Sequence, residues 1–211
     1  EDPHYYTATF ASGMTGIAYN ATVLAALGFE EPNTTDELFA ICESIATGTY
    51  VSGASGDYTV GASVDKNVYS SDKAFISYGV SAYVNYLVET WWAQYEGVSG
   101  YVNYFRGMDS EGNLTSAVVR QQGKRKALEA TEEMMEYTGL VASAERDAYR
   151  RAQNQVVLGT ALFMANGDWF DMEERDFAAN APGAGDVRLM NAPVVSSIRE
   201  NTPSIPDDAT L

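Results

Sequence analysis

One cysteine and one histidine in 211 residues remove whole classes of chemistry. Cys42, standing alone, can form neither an internal disulfide nor a cysteine-based zinc cluster. His4 has no neighbouring residues of the kind a metal or catalytic site needs, so it reads as a solvent-facing loop residue. Bases are scarce as well: 13 Lys and Arg against 29 Asp and Glu give a formal net charge of −16. A nucleic-acid binder needs a basic footprint to displace counterions, and an anionic lipid surface attracts bases rather than acids. The chain is therefore expected to bind no nucleic acid and not to anchor on anionic lipid, its acids serving as a solubilising surface. No apolar run approaches the ~20 residues of a membrane span. No signal peptide opens the sequence, which fits either a cytosolic protein or a mature, trimmed segment.

What the chain does have is apolar and aromatic content, 45% and 12%, enough for a full core in one large domain or two small ones. Its organising stretch is Thr160 to Phe170. Residues 160–165 are apolar and bounded by Gly159 and by Asn166-Gly167, which predicts a short buried strand. Asp168 stands where a helix N-cap should be, so a helix is expected over 169–175. Trp169 then sits at the tip of a strand–turn–helix corner. In open α/β sheets ligands collect where strand carboxyl ends meet helix N-termini, which makes the indole a candidate ligand platform. On local pattern alone a hydrophobic plug explains it equally well.

Along the rest of the chain, Gly13 to Tyr19 reads as a strand, and Asn20 as the cap of a helix carrying Val23, Leu24 and Leu27 and ending at Gly28. Thr34 to Glu37 has the spacing of a capping box and opens a helix with Leu38, Ile41, Cys42 and Ile45 on one face, which buries the thiol. Residues 48–72 read as loops with one short strand near 58–62. Lys73 to Tyr78 reads as a strand. Val84, Leu87, Val88, Trp91, Trp92 and Tyr95 then recur with helical period, which assigns both tryptophans to the core. Tyr83 and Tyr86 fall off that stripe at the helix start, where side chains can reach a cleft.

Met108 to Asn113 carries spaced acids and a glycine, but Arg120 stands where a calcium loop needs a bidentate glutamate, so a polar turn is expected. Residues 116–138 read as one long charged helix with Leu128, Thr131 and Met135 inward, ended by Gly139. Residues 142–158 read as another, Gln- and Arg-rich on its outer side, followed by a Pro/Gly linker over 178–185 and a last strand over 189–195.

Several of these segments, in order, resemble the extracellular solute-binding proteins that feed ABC-type sugar importers. They are Gly16-Ile-Ala-Tyr-Asn20 with Leu27-Gly28-Phe29 and Pro32 to Leu38; Trp91 to Gly97; Gln153 to Phe170; and Asn191 to Ile198 with Ile205 to Leu211. The resemblance implies an α/β fold, one lobe of a periplasmic-binding-protein type II-like architecture with a mixed sheet flanked by helices. Residues 1–211 would be a single lobe of a two-lobe receptor, with 1–19 and 187–198 crossing the hinge. The implied function is that of the substrate-binding component of an importer, holding a small carbohydrate in an interlobe cleft. It would work as a monomer with membrane permease subunits, without cofactor or metal, as an extracytoplasmic lipoprotein or periplasmic protein.

In that family the tryptophan of the N-G-x-W turn lines the cleft, and Trp169 occupies its place. The ligand-binding candidates are Trp169, Asp168 and Asn166 from the corner, Tyr83 and Tyr86 from the helix start, and Tyr6 from the aromatic N-terminal run. Rings would stack on sugar C–H faces while Asn, Asp and Tyr fix the hydroxyls. This chain has Val84 where the family's usual pattern has an aromatic. The competing reading is a glycoside hydrolase, with paired carboxylates beside the same aromatics, or a surface carbohydrate-binding domain. Asp168, Asp171, Glu173 and Glu174 are already accounted for as a cap and as first-turn acids that complement the helix dipole. A single lobe would offer a sugar one wall, so weak affinity is expected of it.

Overall fold

The computed structural model describes residues 12–47, 73–79, 83–141 and 147–201. His4, Tyr6, the strand expected near 58–62 and the segment Ile205 to Leu211 lie outside them. Within them β1 (Thr15–Asn20), β2 (Phe75–Tyr78), β3 (Thr138–Val141), β4 (Phe163–Gly167) and β5 (Val187–Met190) form one sheet in the order β3-β2-β4-β1-β5. β2 runs parallel to β3 and β4, whereas β1 is antiparallel to both of its neighbours, β4 and β5. The carboxyl ends of four strands therefore share one edge of the sheet with the start of β1.

Helices cover both faces, giving three layers. On one side lie α1 (Ala21–Ala26), α2 (Thr35–Thr47), α3 (Val84–Arg106) and α4 (Gln122–Glu136); on the other lie α5 (Ala148–Val157) and α6 (Phe170–Asn180). The short α7 (Ser196–Asn201) follows β5. The first core centres on Trp91, fully enclosed, whose Nε1 donates to the Pro193 carbonyl at 3.1 Å and whose ring meets the edge of Phe39. The stripe read from the sequence buries Val84, Leu87, Trp91 and Trp92 as expected.

Local signals explain the early elements well. Asn20 ends β1 and caps α1, its Oδ1 accepting from Val23 N at 3.0 Å, and Gly28 follows the helix in the left-handed region at φ 82°. Thr34 and Glu37 form the reciprocal capping box, with Glu37 Oε2 accepting from Thr34 N at 3.2 Å and Thr34 Oγ1 from Glu37 N at 3.4 Å. Cys42 on α2 is fully buried, and burial pushes its thiol above the ordinary range. Gly16 is needed for close approach, because a Cβ there would run into the Met190 carbonyl oxygen on β5.

The later elements differ from expectation. The helix expected over 116–138 is three pieces: a 3-10 turn at Ser116–Arg120, α4, and the strand β3. Gln121, at ψ 131°, makes the break, and α4 restarts with Gly123 N donating to Glu96 Oε1 at 2.5 Å. Its inward residues are Ala127, Thr131 and Met134, while Leu128 is half exposed, so the buried face is rotated from the one expected. A helix so rich in charge has too few large apolar residues to fix its phase from sequence. Gly139 lies inside β3 rather than ending a helix; four residues are too few for alternation to show.

Gln153, expected on the outer side of its helix, is turned inward and completely buried. α6 runs through to Asn180, into the expected linker, and β5 ends at Met190 before Pro193, which has no N–H for a ladder. Val194 instead exchanges backbone bonds with Asn33 and Thr35, and Ser196 bonds Thr35 and Asp36, tying this segment to the start of α2.

Candidate functional site

The candidate site lies at the shared edge of strand ends. β4 extends through Asn166 and Gly167, because Gly16 and Thr15 pair opposite them. The turn is consequently Asp168-Trp169, and the cap position of α6 falls on Trp169, which has no side-chain acceptor to offer. Asp168 is thus not the N-cap; its backbone N–H donates to Met14 O at 2.9 Å and its carboxylate is exposed beside Gly13. Asn166 is fully enclosed, with Oδ1 accepting from Gly167 N at 2.8 Å and the amide nitrogen 3.7 Å from the Met164 sulfur, so it shapes the corner from inside.

Trp169 is half-buried, and its indole lies across Gly167, where a Cβ would collide with the six-membered ring, and against Gly13. Tyr83 and Tyr86, from the start of α3, meet it edge-on at centroid distances of 5.5 and 6.1 Å and stack on each other at 5.5 Å with 19° between planes. Tyr78, at the end of β2, abuts Tyr83 at 5.6 Å, and Tyr149 at the start of α5 abuts Tyr78 at 6.2 Å. The structure thus brings Trp169, Asp168, Tyr83 and Tyr86 together, and adds Tyr78 and Tyr149, which sequence reasoning missed. Their signal was weak: each stands singly at an element end.

Two features mark this wall as more than packing. Tyr83 holds a left-handed backbone at φ 57°, a conformation bulky residues rarely adopt and one that concentrates at functional sites. Among the described residues Trp169 Nε1 is buried without a hydrogen-bond partner, a cost that native structures seldom leave standing without reason. Burial, then the neighbouring Tyr83 hydroxyl, push the Tyr78 phenol above its usual range. Rings at mixed angles with one exposed carboxylate can bind a ligand with apolar faces and hydroxyl edges.

The carboxylates of α6 do not face this wall as a pair. Glu173 accepts from Gln153 Nε2 at 2.6 Å, and Glu174, 2% exposed, lines a cavity of about 270 Å³ between α6 and β5 that Gly167, Asp168 and Asp171 also line. Burial pushes the Glu174 carboxyl up to about 7 from an ordinary 4.5, opposed by the Arg150 charge and reinforced by Glu173. Below the ordinary value both folded and unfolded chains carry the proton, so nothing is lost there. Between 4.5 and about 7 the folded chain holds a proton that the unfolded chain has released, so stability falls as pH rises, by up to ~3 kcal/mol in all. Glu174→Gln is expected to melt higher than the parent at pH 8 and at the same temperature near pH 4. Parallel melting curves across that range would refute this.

No family model matches the chain, and no curated protein matches its sequence. Solved structures do match its fold. A chitin oligosaccharide binding protein superposes with TM-score 0.56 at 17% identity, over 87% of this chain and 38% of its own. An ABC transporter solute-binding protein from Agrobacterium radiobacter K84, in complex with ribitol, gives 0.53 at 18%, over 92% of this chain and 41% of its own. A bacterial solute receptor with exclusive preference for β-D-galactopyranose gives 0.52 at 13%, over 87% and 38%. The chain thus spans roughly two-fifths of the length of these structures, 38–41%. The likeness is one of fold: this chain is an α/β unit with a mixed sheet and helices on both faces, similar to part of each of these solved receptors.

Proposed function

We propose that the chain is the ligand-binding lobe of an ABC importer's carbohydrate receptor, acting by recognition without catalysis. The observation that carries the reading is the Trp169–Tyr83–Tyr86 cluster at the carboxyl edge of the sheet, with Asp168 at its rim. A sugar ring would lie on the indole and on a tyrosine, the Asp168 carboxylate and tyrosine hydroxyls would take its hydroxyls, and a second lobe would close from the other side. Extracytoplasmic placement and delivery to membrane permease subunits follow from the same reading. Among the described residues no helix is long and apolar enough to cross a membrane. A hydrolase would need two carboxylates on the reacting bond; Asp168 lies at the rim, but Glu173 is bonded to Gln153, Asp171 is paired with Arg175 and Glu174 is only 2% exposed.

The test is a thermal-shift screen of mono- and oligosaccharides, followed by titration of Trp169→Ala. Loss of a stacked indole is expected to weaken binding by roughly 1–3 kcal/mol. Because the ring is half-buried, stability should fall by only about 1–2 kcal/mol, less than for a core tryptophan. Unchanged affinity together with a collapsed melting temperature would show that the indole is a plug.

A further inference from the structure

Among the described residues Glu174 is the only charged side chain that the fold buries, and the aromatic wall does not use it. Along α6, Phe170, Glu174 and Phe177 or Ala178 fall at i, i+4 and i+7 or i+8, the helix's inward stripe, so the carboxyl stands where an apolar residue is expected. Its surroundings do little to offset this. The Asn154 amide, oriented by the bonds open to it, donates to Glu174 Oε2 at 2.5 Å and to the Arg150 carbonyl at 3.2 Å. No bond reaches Oε1 among the described residues. Arg150 attracts the carboxylate but makes no ion pair with it; its Nε donates to the Tyr149 hydroxyl at 3.0 Å. Burial outweighs that attraction and raises the carboxyl's pKa. Buried carboxylates ordinarily have a cationic partner, and this one has none.

The cavity between α6 and β5 supplies room beside it. Ala18 on β1 and Ala178 on α6 are too small to fill the space between sheet and helix, which leaves Val187 and Leu189 of the edge strand β5 half-buried. A volume of about 270 Å³ suits a molecule of a few heavy atoms. Four acids and two bases line it, a net of two negative charges. Both bases are engaged, Arg175 Nη2 with Asp171 at 3.0 Å and Arg188 Nη2 with Asp186 at 2.7 Å. Asp168, exposed, and Glu174, buried, are the two acids left without a basic partner among the described residues. Arg150 and Glu173, which also act on Glu174, do so with opposite sign and leave that balance unchanged.

We propose that this cavity binds a small primary alkylammonium ion, its alkyl part against Val157, Phe170 and Leu189 and its ammonium group on the free oxygen of Glu174. Such a cation brings both what the carboxylate lacks, an N–H donor for Oε1 and a positive charge in a poorly solvated place. A neutral alcohol would bring the donor without the charge, and an anion would meet two unpaired acids. The cavity shares Gly167 and Asp168 with the candidate carbohydrate wall but neither its indole nor its tyrosines, so the proposal stands apart from the carbohydrate reading.

Calorimetric titration of the whole chain at pH 8 with n-butylammonium and, in parallel, with n-butanol tests it. Butylammonium is expected to bind the parent at least about tenfold more tightly than butanol, because a hydrogen bond to a charged group is worth more than a neutral one. Glu174→Gln keeps the shape and is expected to melt no lower than the parent at this pH, and it should lose the preference for the cation. Ala178→Leu keeps the carboxyl but fills the space, and it should abolish binding of both probes. Parent protein that takes up no butylammonium at millimolar concentration overturns the proposal, as does butanol binding equally well. Cation binding unchanged by Glu174→Gln also overturns it, since that would be the general attraction of a cation to an acidic chain. So does binding unchanged by Ala178→Leu, and if that variant fails to fold, Glu174→Gln decides.

Discussion

Trp91→Ala is expected to cost the protein a large part of its folding stability. The indole is fully enclosed, packs its face against the edge of Phe39, and ties α3 to the segment after β5 through its bond to the Pro193 carbonyl. Truncation removes the largest side chain of the core and leaves that carbonyl without its donor. Large-to-small changes of this kind cost ~3–5 kcal/mol, a large share of the roughly 5–15 kcal/mol that a domain has in reserve. Chemical denaturation followed by circular dichroism would measure it. A loss under about 1 kcal/mol would mean that the core can collapse around the gap. Trp91→Phe should recover most of the packing and fail only by the missing donor, about 1 kcal/mol.

Asn20→Ala should come close to that effect although the residue is small. Asn20 is fully buried at the end of β1; its oxygen caps α1 at Val23 N, and its nitrogen donates to the carbonyls of Val156 at 2.8 Å and Val157 at 3.2 Å. One amide therefore closes an N-cap on one face of the sheet and the end of α5 on the other. Losing the cap costs ~1 kcal/mol and each lost bond to α5 about 0.5–1.5 kcal/mol, since the two carbonyls keep Gly159 N and Gly185 N as donors, so a total of roughly 2–4 kcal/mol is expected. Asn20→Asp is the sharper test. It keeps the capping acceptor but points a carboxylate at two carbonyl oxygens, and it should be no better than alanine. If the aspartate variant melts like the parent, the bonds to α5 contribute little.

The contrast between these residues shows what the sequence could reveal. Asn20, Thr34 and Glu37 act through partners three residues away, so their roles as caps could be read along the chain. The second half of Asn20's role, its reach to Val156 and Val157, depends on contacts more than a hundred residues distant and left no local trace. Trp91 announced itself through a stripe of large apolar residues, whereas α4, with few such residues, was placed with its buried face rotated. At the candidate site, Trp169, Tyr83 and Tyr86 were singled out through their positions at element ends. Asp168 was misassigned as a cap because pairing with β1 carries β4 through Gly167, and pairing partners lie beyond a local window. Tyr78 and Tyr149 join the wall only once β2 and α5 are folded beside each other.

The reversed strand β1 also bears on how the chain acquires its shape. β1 is made first among the described strands, but its only ladder partners there are β4 and β5, with Ile17 opposite Ala165 and Met190. Contacts between such distant parts of a chain slow folding, because a long loop must close before any pairing rewards it. On a ribosome that builds the chain from its N-terminus, Ile17, Ala18 and Tyr19 must wait for some 150 further residues before they can be covered. Until then β1 is an apolar strand with two bare edges. Folding of this α/β unit should therefore be late and nearly all-or-none, with the nascent chain dependent on whatever shields that strand in the interval.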